Sequence, residues 1–208
     1  APSLDVDDIP GFFQHVLERI DWRRDLHFQT ETTIDTLDYS GSDWNAGSKV
    51  IMACHGPVLR TLGKEVPNSL SLPTRYLDVR VVLPGVLAIS APVWQDYQLA
   101  KEEVTKLIGM LSARDLRNWP LLLLVDDAAF AQANLNNFLW VVFTRSNPSH
   151  DIYGVDSFQK HKHWGCHGPL IIDARIKPHH APVLEKDPEV SRKVDELIMK
   201  TPALRSIL

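Results

Sequence analysis

Five apolar positions, Phe12, Phe13, Val16, Leu17 and Ile20, share one helical face, and Pro10 stands where a first helical turn tolerates it. That spacing predicts a short amphipathic helix over Gly11 to Ile20. Leu26 to Leu37 alternates weakly and is rich in threonine (Thr30, Thr32, Thr33, Thr36), as a strand or extended segment would be. Tyr39-Ser40-Gly41-Ser42-Asp43 and Asn45-Ala46-Gly47-Ser48 predict a loop, Lys49 to Ala53 a strand, and His55-Gly56-Pro57 its end. After a proline-punctuated connection from Pro67 to Pro73, Val79 to Ser90 carries two aliphatic runs around Leu83-Pro84-Gly85, which suits a tight turn or a bulged edge strand.

The pattern is stronger in the second half. Tyr97, Ala100, Val104, Leu107, Ile108 and Leu111 keep helical spacing. Leu121-Leu122-Leu123-Leu124-Val125 is an apolar run of strand length, stopped by Asp126-Asp127, as in strands covered on both faces. Leu135, Phe138, Leu139 and Val142 predict a helix packed on that sheet, and Leu170-Ile171-Ile172 a second covered strand. Asp187-Pro188 reads as cap and first turn of a last helix with Val190, Val194, Leu197 and Ile198 on one face. Covered strands alternating with helices predict an α/β single domain with one mixed sheet flanked by helices and an irregular N-terminal third. Residues 1–10 read as a linker-like lead-in, and 11–208 as globular.

Composition narrows the choice of function. A chain of 208 residues that is 44% hydrophobic has enough apolar content for a core of its own. A net charge of −4 supplies no basic stripe for a phosphate backbone, so nucleic acid is not an expected partner. No apolar run approaches the roughly 20 residues that a membrane-spanning helix needs. Cys54 and Cys166 stand far apart and form no disulfide framework, which points to a reducing compartment and a cytoplasmic protein. The opening Ala1-Pro2-Ser3-Leu4 lacks Met and resembles a domain boundary.

His161, His163, Cys166 and His167 lie close together, with His179-His180 soon after, and offer imidazole and thiolate donors of the kind that bind zinc. Their spacing is neither Cys-x-x-Cys nor His-Glu-x-x-His, so hydrogen-bonded loop histidines are the alternative. A Cys166/His167 nucleophile pair is disfavoured because neighbours on an extended segment point to opposite faces. Asp126 and Asp127 end a covered strand, where open α/β sheets bind ligands, and equally suit a helix cap. Asp173 and Arg175 share a face and could form a pair or stand exposed. Pro148 stops the helix that carries Thr144-Arg145, which leaves the Arg145 carbonyl at the negative end of a helix dipole, free to face a cation. No Gly-x-Gly-x-x-Gly, Walker loop or Gly-x-Ser-x-Gly elbow occurs.

Several phrases occur in combination. They are Val125-Asp126-Asp127, Asn136-Asn137-Phe138-Leu139-Trp140, Thr144-Arg145-x-x-Pro148, Asp151-Ile152-Tyr153-Gly154 and the run from His161 to Pro182, together with Arg24 to Thr30 and Thr33 to Gly41. In this combination the chain resembles the C-terminal domain of the UbiD family, (de)carboxylases of aromatic and unsaturated carboxylic acids such as the 4-hydroxybenzoate decarboxylases of ubiquinone synthesis. The resemblance implies a reversible carboxy-lyase using prenylated FMN, a divalent metal and a monovalent cation. In that family the N-terminal and middle domains carry the cofactor pocket and an Arg-Glu-Glu set. No segment here matches those parts. The last domain closes over the cofactor-bearing part and makes the homodimer or higher oligomer interface, and its Thr-Arg carbonyl helps hold the monovalent ion. Arg145 inherits that role by resemblance. The expected function is therefore an oligomerisation and active-site-closing domain, inactive alone, with no cofactor held by this chain by itself. The alternatives are a small metal-dependent enzyme using His161, His163 and Cys166, or a non-catalytic subunit pairing with a separate catalytic chain.

Overall fold

A computed structural model describes residues 4–35, 38, 40, 41, 43–181 and 187–201. The Asp8 carboxylate accepts from the Gly11 amide and caps α1 (Ile9–Arg19), so the first helix begins inside the stretch expected to be lead-in. β1 (Leu26–Thr32) and β2 (Gly47–Met52) pair antiparallel. β3 (Leu77–Leu83) and β4 (Val86–Ser90) form a hairpin through Pro84-Gly85. Gly85 has φ +80°, and a Cβ there would stand 2.7 Å from Leu62 Cδ2, so both the turn and the packing beneath it require glycine. Asp96 caps α2 (Tyr97–Ile108), which leads to β5 (Leu121–Val125). Asp127 and Asn134 cap α3 (Ala128–Ala133) and α4 (Leu135–Thr144). A single turn α5 (Pro148–Asp151) precedes β6 (Ile152–Gly154), and β7 (Ser157–Lys160), β8 (His163–Cys166), β9 (Leu170–Asp173) and α6 (Pro188–Lys200) follow.

The main sheet has the order β3-β4-β5-β9-β6. β4, β5 and β9 are parallel, and both outer strands are antiparallel to their neighbours, so the sheet is mixed and the chain is α/β. The period of two along these strands explains the continuous apolar runs. Leu121, Leu123 and Val125 enter one core with α1, α3 and α4, through Leu17, Ala128, Ala131, Phe138 and Val141. Leu122 and Leu124 enter the other with Val104 and Leu107 of α2. Each fully buried leucine removes apolar surface worth about 1.5–3 kcal/mol, which fixes the register: a slip of one residue would exchange the two faces.

Three expectations differ from the structure. The histidine-rich stretch expected as a loop is largely the β7–β8 hairpin, closed by His161 and Lys162 at φ 50° and 65°. Two left-handed residues make the turn whose twist matches paired strands, but Asn-Gly, the usual signal, is absent. β1 stops at Thr32, short of Leu37; Thr36, Leu37, Tyr39, Ser42 and Pro182 lie outside the described residues. α6 is amphipathic as expected, yet none of its residues is fully buried: Val190, Val194 and Leu197 remain 53%, 48% and 57% exposed, and Ile198 is partly buried. Among the described residues no helix is long and apolar enough to cross a membrane.

Candidate functional site

The parallel strands β5 and β9 deliver Asp126 and Asp173 to the same end of the sheet, and the segment after β9 runs back beneath the end of α4. Asp173 and Arg175 form a buried pair at the end of an interior strand. Arg175 donates from Nε and Nη2 to the two Asp173 oxygens at 2.8 and 2.7 Å, and from Nη1 to the Pro92 carbonyl and Glu103 at 2.7 and 2.9 Å. Burial alone would lower the Arg175 pKa, but the hydrogen bonds and charges of Asp173 and Glu103 outweigh it and hold the guanidinium charged.

Lys177 is the second buried cation, with a side chain that is 0% exposed. Its Nζ donates to the carbonyls of Arg145, Asp173 and Arg175 at 2.9, 3.1 and 3.3 Å, and lies 3.3 Å from the Asp151 carboxylate. Burial lifts the Asp151 carboxyl to about 6, against the pull of Lys177 and of the Asn147 amide, which donates to it at 2.6 Å. Asn147 is buried too. Its side chain donates to the Ala46 carbonyl at 3.0 Å and accepts from Ser48 Oγ, so the turn between α4 and α5 is anchored to the approach to β2.

Arg145 itself is only partly covered. Its guanidinium reaches Asp126 at 3.1 Å, and the same carboxylate oxygen accepts from the Ile176 amide at 2.9 Å. Asp126 is thus a latch between α4 and the β9 exit, and Asp127 is the cap of α3. His180 accepts from the Lys177 amide through Nδ1 at 3.1 Å. Burial, with Lys177 close by, pushes its pKa down to about 4.

The alternative metal arrangement of His161, His163, Cys166 and His167 does not form. His163 and Cys166 stand three apart on β8 and so face opposite ways. His161 sits in the hairpin turn, and the His163 ring nitrogen contacts the Arg23 carbonyl at 2.9 Å. Cys166 is buried with its thiol toward the Gly168 carbonyl, while His167 is exposed and packs on Phe158. Burial pushes the Cys166 thiol up to about 12, which also removes it as a nucleophile or thiolate ligand at neutral pH. Among the described residues no three His, Cys, Asp or Glu side chains are placed to hold a metal ion. The structure also bears on the cation expected at Arg145: that carbonyl already accepts from an ammonium. Lys177, Asp151, Asn147 and Glu103, to which the sequence pattern alone assigns no role, are the residues that build this end of the sheet. The available signal is that Asp151 and Lys177 lie inside the phrases that carry the family resemblance.

Residues 2–54 match the model of the 3-octaprenyl-4-hydroxybenzoate carboxy-lyase C-terminal domain. A Chlamydia pneumoniae protein named as one of the subunits of a 4-hydroxybenzoate decarboxylase is 31% identical over 199 residues, covering 93% of this chain and 31% of that protein. This chain belongs to the UbiD family, as a C-terminal domain. Uncharacterized proteins from Chlamydia trachomatis and Chlamydia caviae are 33% and 31% identical, over 89% and 92% of this chain. The chain spans about 30% of the length of these curated relatives. Among solved structures, a vanillic acid decarboxylase of Sedimentibacter hydroxybenzoicus in open form matches 61% of this chain and 30% of its own, with a TM-score of 0.37 and 18% identity.

Proposed function

We propose that this chain is the closing and assembly domain of a UbiD-like carboxy-lyase acting on aromatic or unsaturated carboxylic acids in the cytoplasm, inactive without the rest of the enzyme. The observation that carries this reading is the commitment of its charges. Arg175 and Lys177 are saturated by partners inside the domain, so neither reaches a cofactor phosphate or a substrate carboxylate. On this reading prenylated FMN and the divalent metal are held by other polypeptide, with the end of α4 at Arg145 turned toward it.

The outer surface of α3 and α4 carries apolar side chains. Phe130, Trp140 and Phe143 are 43%, 56% and 65% exposed, aromatic side chains of the kind that anchor interfaces. The half-exposed face of α6 supports homo-oligomer formation, and the naming of the Chlamydia pneumoniae relative as one of several subunits supports pairing with another polypeptide. Replacing Trp140 and Phe143 together by Asp in the intact protein is expected to lower turnover more than about tenfold while the cofactor remains bound. Unchanged turnover would remove the closing role. Carbon dioxide release from an aromatic acid by these 208 residues reconstituted with prenylated FMN would refute the inactivity.

A further inference from the structure

Four oxygens from three parts of the chain converge on one point. They are the carbonyl of Arg145 at the C-cap of α4, the carbonyls of Asp173 and Arg175 at the exit of β9, and the carboxylate of Asp151 at the end of α5. Backbone carbonyls and a carboxylate are the donor set of a hard cation site. The cation present is covalently attached, because Lys177 Nζ lies 2.9 to 3.3 Å from all four. An ammonium has three donors and no acceptor, so the four oxygens satisfy it completely in a fully buried position. Without it the three carbonyls would lose this donor, and the buried Asp151 carboxylate would keep only the Asn147 amide, with no counter-charge.

The enclosure also bears on the ion that the family resemblance places at the Arg145 carbonyl. A free alkali ion touching that oxygen would stand at contact distance from a buried ammonium, and like charges in a low-dielectric interior repel strongly. The residues around Arg145 therefore do not fit a second cation while Lys177 is in place.

We propose that the Lys177 ammonium is the resident monovalent cation of the Arg145 turn, and that Lys177 is the positioning residue that joins this turn to the exit of β9. It follows that the enclosure is a latent potassium or ammonium site, opened when the side chain is cut back. The proposal does not depend on which reaction the protein takes part in.

The test uses the intact protein and the variants Lys177→Ala, which empties the enclosure, and Lys177→Met, which fills it with a methyl group. Thermal unfolding is followed at equal ionic strength in potassium, ammonium, lithium and N-methyl-D-glucamine chloride, and the response of the wild type to each salt is subtracted. Both variants are expected to lose on the order of 10 °C in N-methyl-D-glucamine chloride, since the Asp151 carboxylate is left buried without its counter-charge. Potassium and ammonium should restore at least half of that loss in Lys177→Ala, lithium should not, and Lys177→Met should respond to none. A loss in Lys177→Ala that is the same in all four salts overturns the proposal, because a purely structural role would behave that way. If Lys177→Ala does not fold in any salt, crystals of the wild type soaked in rubidium decide the matter by anomalous scattering. No rubidium in contact with the Arg145 carbonyl supports the proposal, and a rubidium peak there overturns it.

Discussion

Replacing Arg175 by Leu keeps much of the packing volume and removes the charge. Asp173 is 0% exposed and would lose its bidentate partner, keeping one backbone hydrogen bond from residue 175 at 3.2 Å. Glu103 would fare better, because Arg75 also holds it at 2.6 Å and that pair is at the surface. The loss is therefore concentrated on one buried carboxylate. Removing one member of a buried pair costs about 3–5 kcal/mol, whereas the exposed Arg75 contact is worth about 1 kcal/mol or less. Since β9 lies between β5 and β6, the destabilisation should be felt along the interior strands. Native-state hydrogen exchange in the intact protein reads this locally: amides of β5 and β9 should lose roughly two to four decades of protection. Adding Asp173→Asn should recover part of the loss, since a neutral amide tolerates burial better. A loss below about one decade, or no recovery in the double variant, would refute the idea that these charges are committed to one another.

Two buried groups give opposing dependences on pH. Asp151, lifted by burial to about 6, keeps a proton in the folded state that the unfolded chain gives up near pH 4, so its contribution is complete below that range and is lost as pH rises through 6. His180, lowered by burial to about 4, does the reverse, and its contribution is lost as pH falls from about 6.5. Denaturant titrations between pH 4 and 6.5 should show stability declining with rising pH in His180→Gln and declining with falling pH in Asp151→Asn; identical slopes in the two variants would sink this. Cysteine labelling of the native protein should modify the half-buried Cys54 well before Cys166, whose thiol is enclosed and raised to about 12. Mass spectrometry of the alkylated protein tests the order, and Cys166 should react only on unfolding.

The parts legible in the sequence were those whose signal is local. Leu121 to Val125 and Leu170 to Ile172 announced strands covered on both faces, and the period of 3.6 in α2 and α4 placed their buried sides correctly. The β7–β8 hairpin was not legible because its turn is His161-Lys162 in place of glycine or asparagine, and β6 is only three residues long. At the site, the position of Arg145 at a helix end could be read from Pro148. Its carbonyl's partner could not, because Lys177 and Asp151 meet only after the chain has passed through β6 to β9. The alternation that put Cys166 on the face opposite His163 is a simple rule, but it applies only once that stretch is known to be a strand.

The outer strands of the main sheet have a further consequence. β3 shifts register twice against β4, between Leu77 and Val79 and again between Val81 and Leu83, and Asp78 and Arg80 pair with each other along it. β6, on the opposite side, offers three residues. A kinked, charged border on one flank and a very short one on the other leave the main sheet little template for an incoming strand, so its growth by runaway cross-strand addition is guarded against. Association through the main sheet is then left to the side-chain packing of its covering helices, which ends at a defined stoichiometry, whereas strand addition does not.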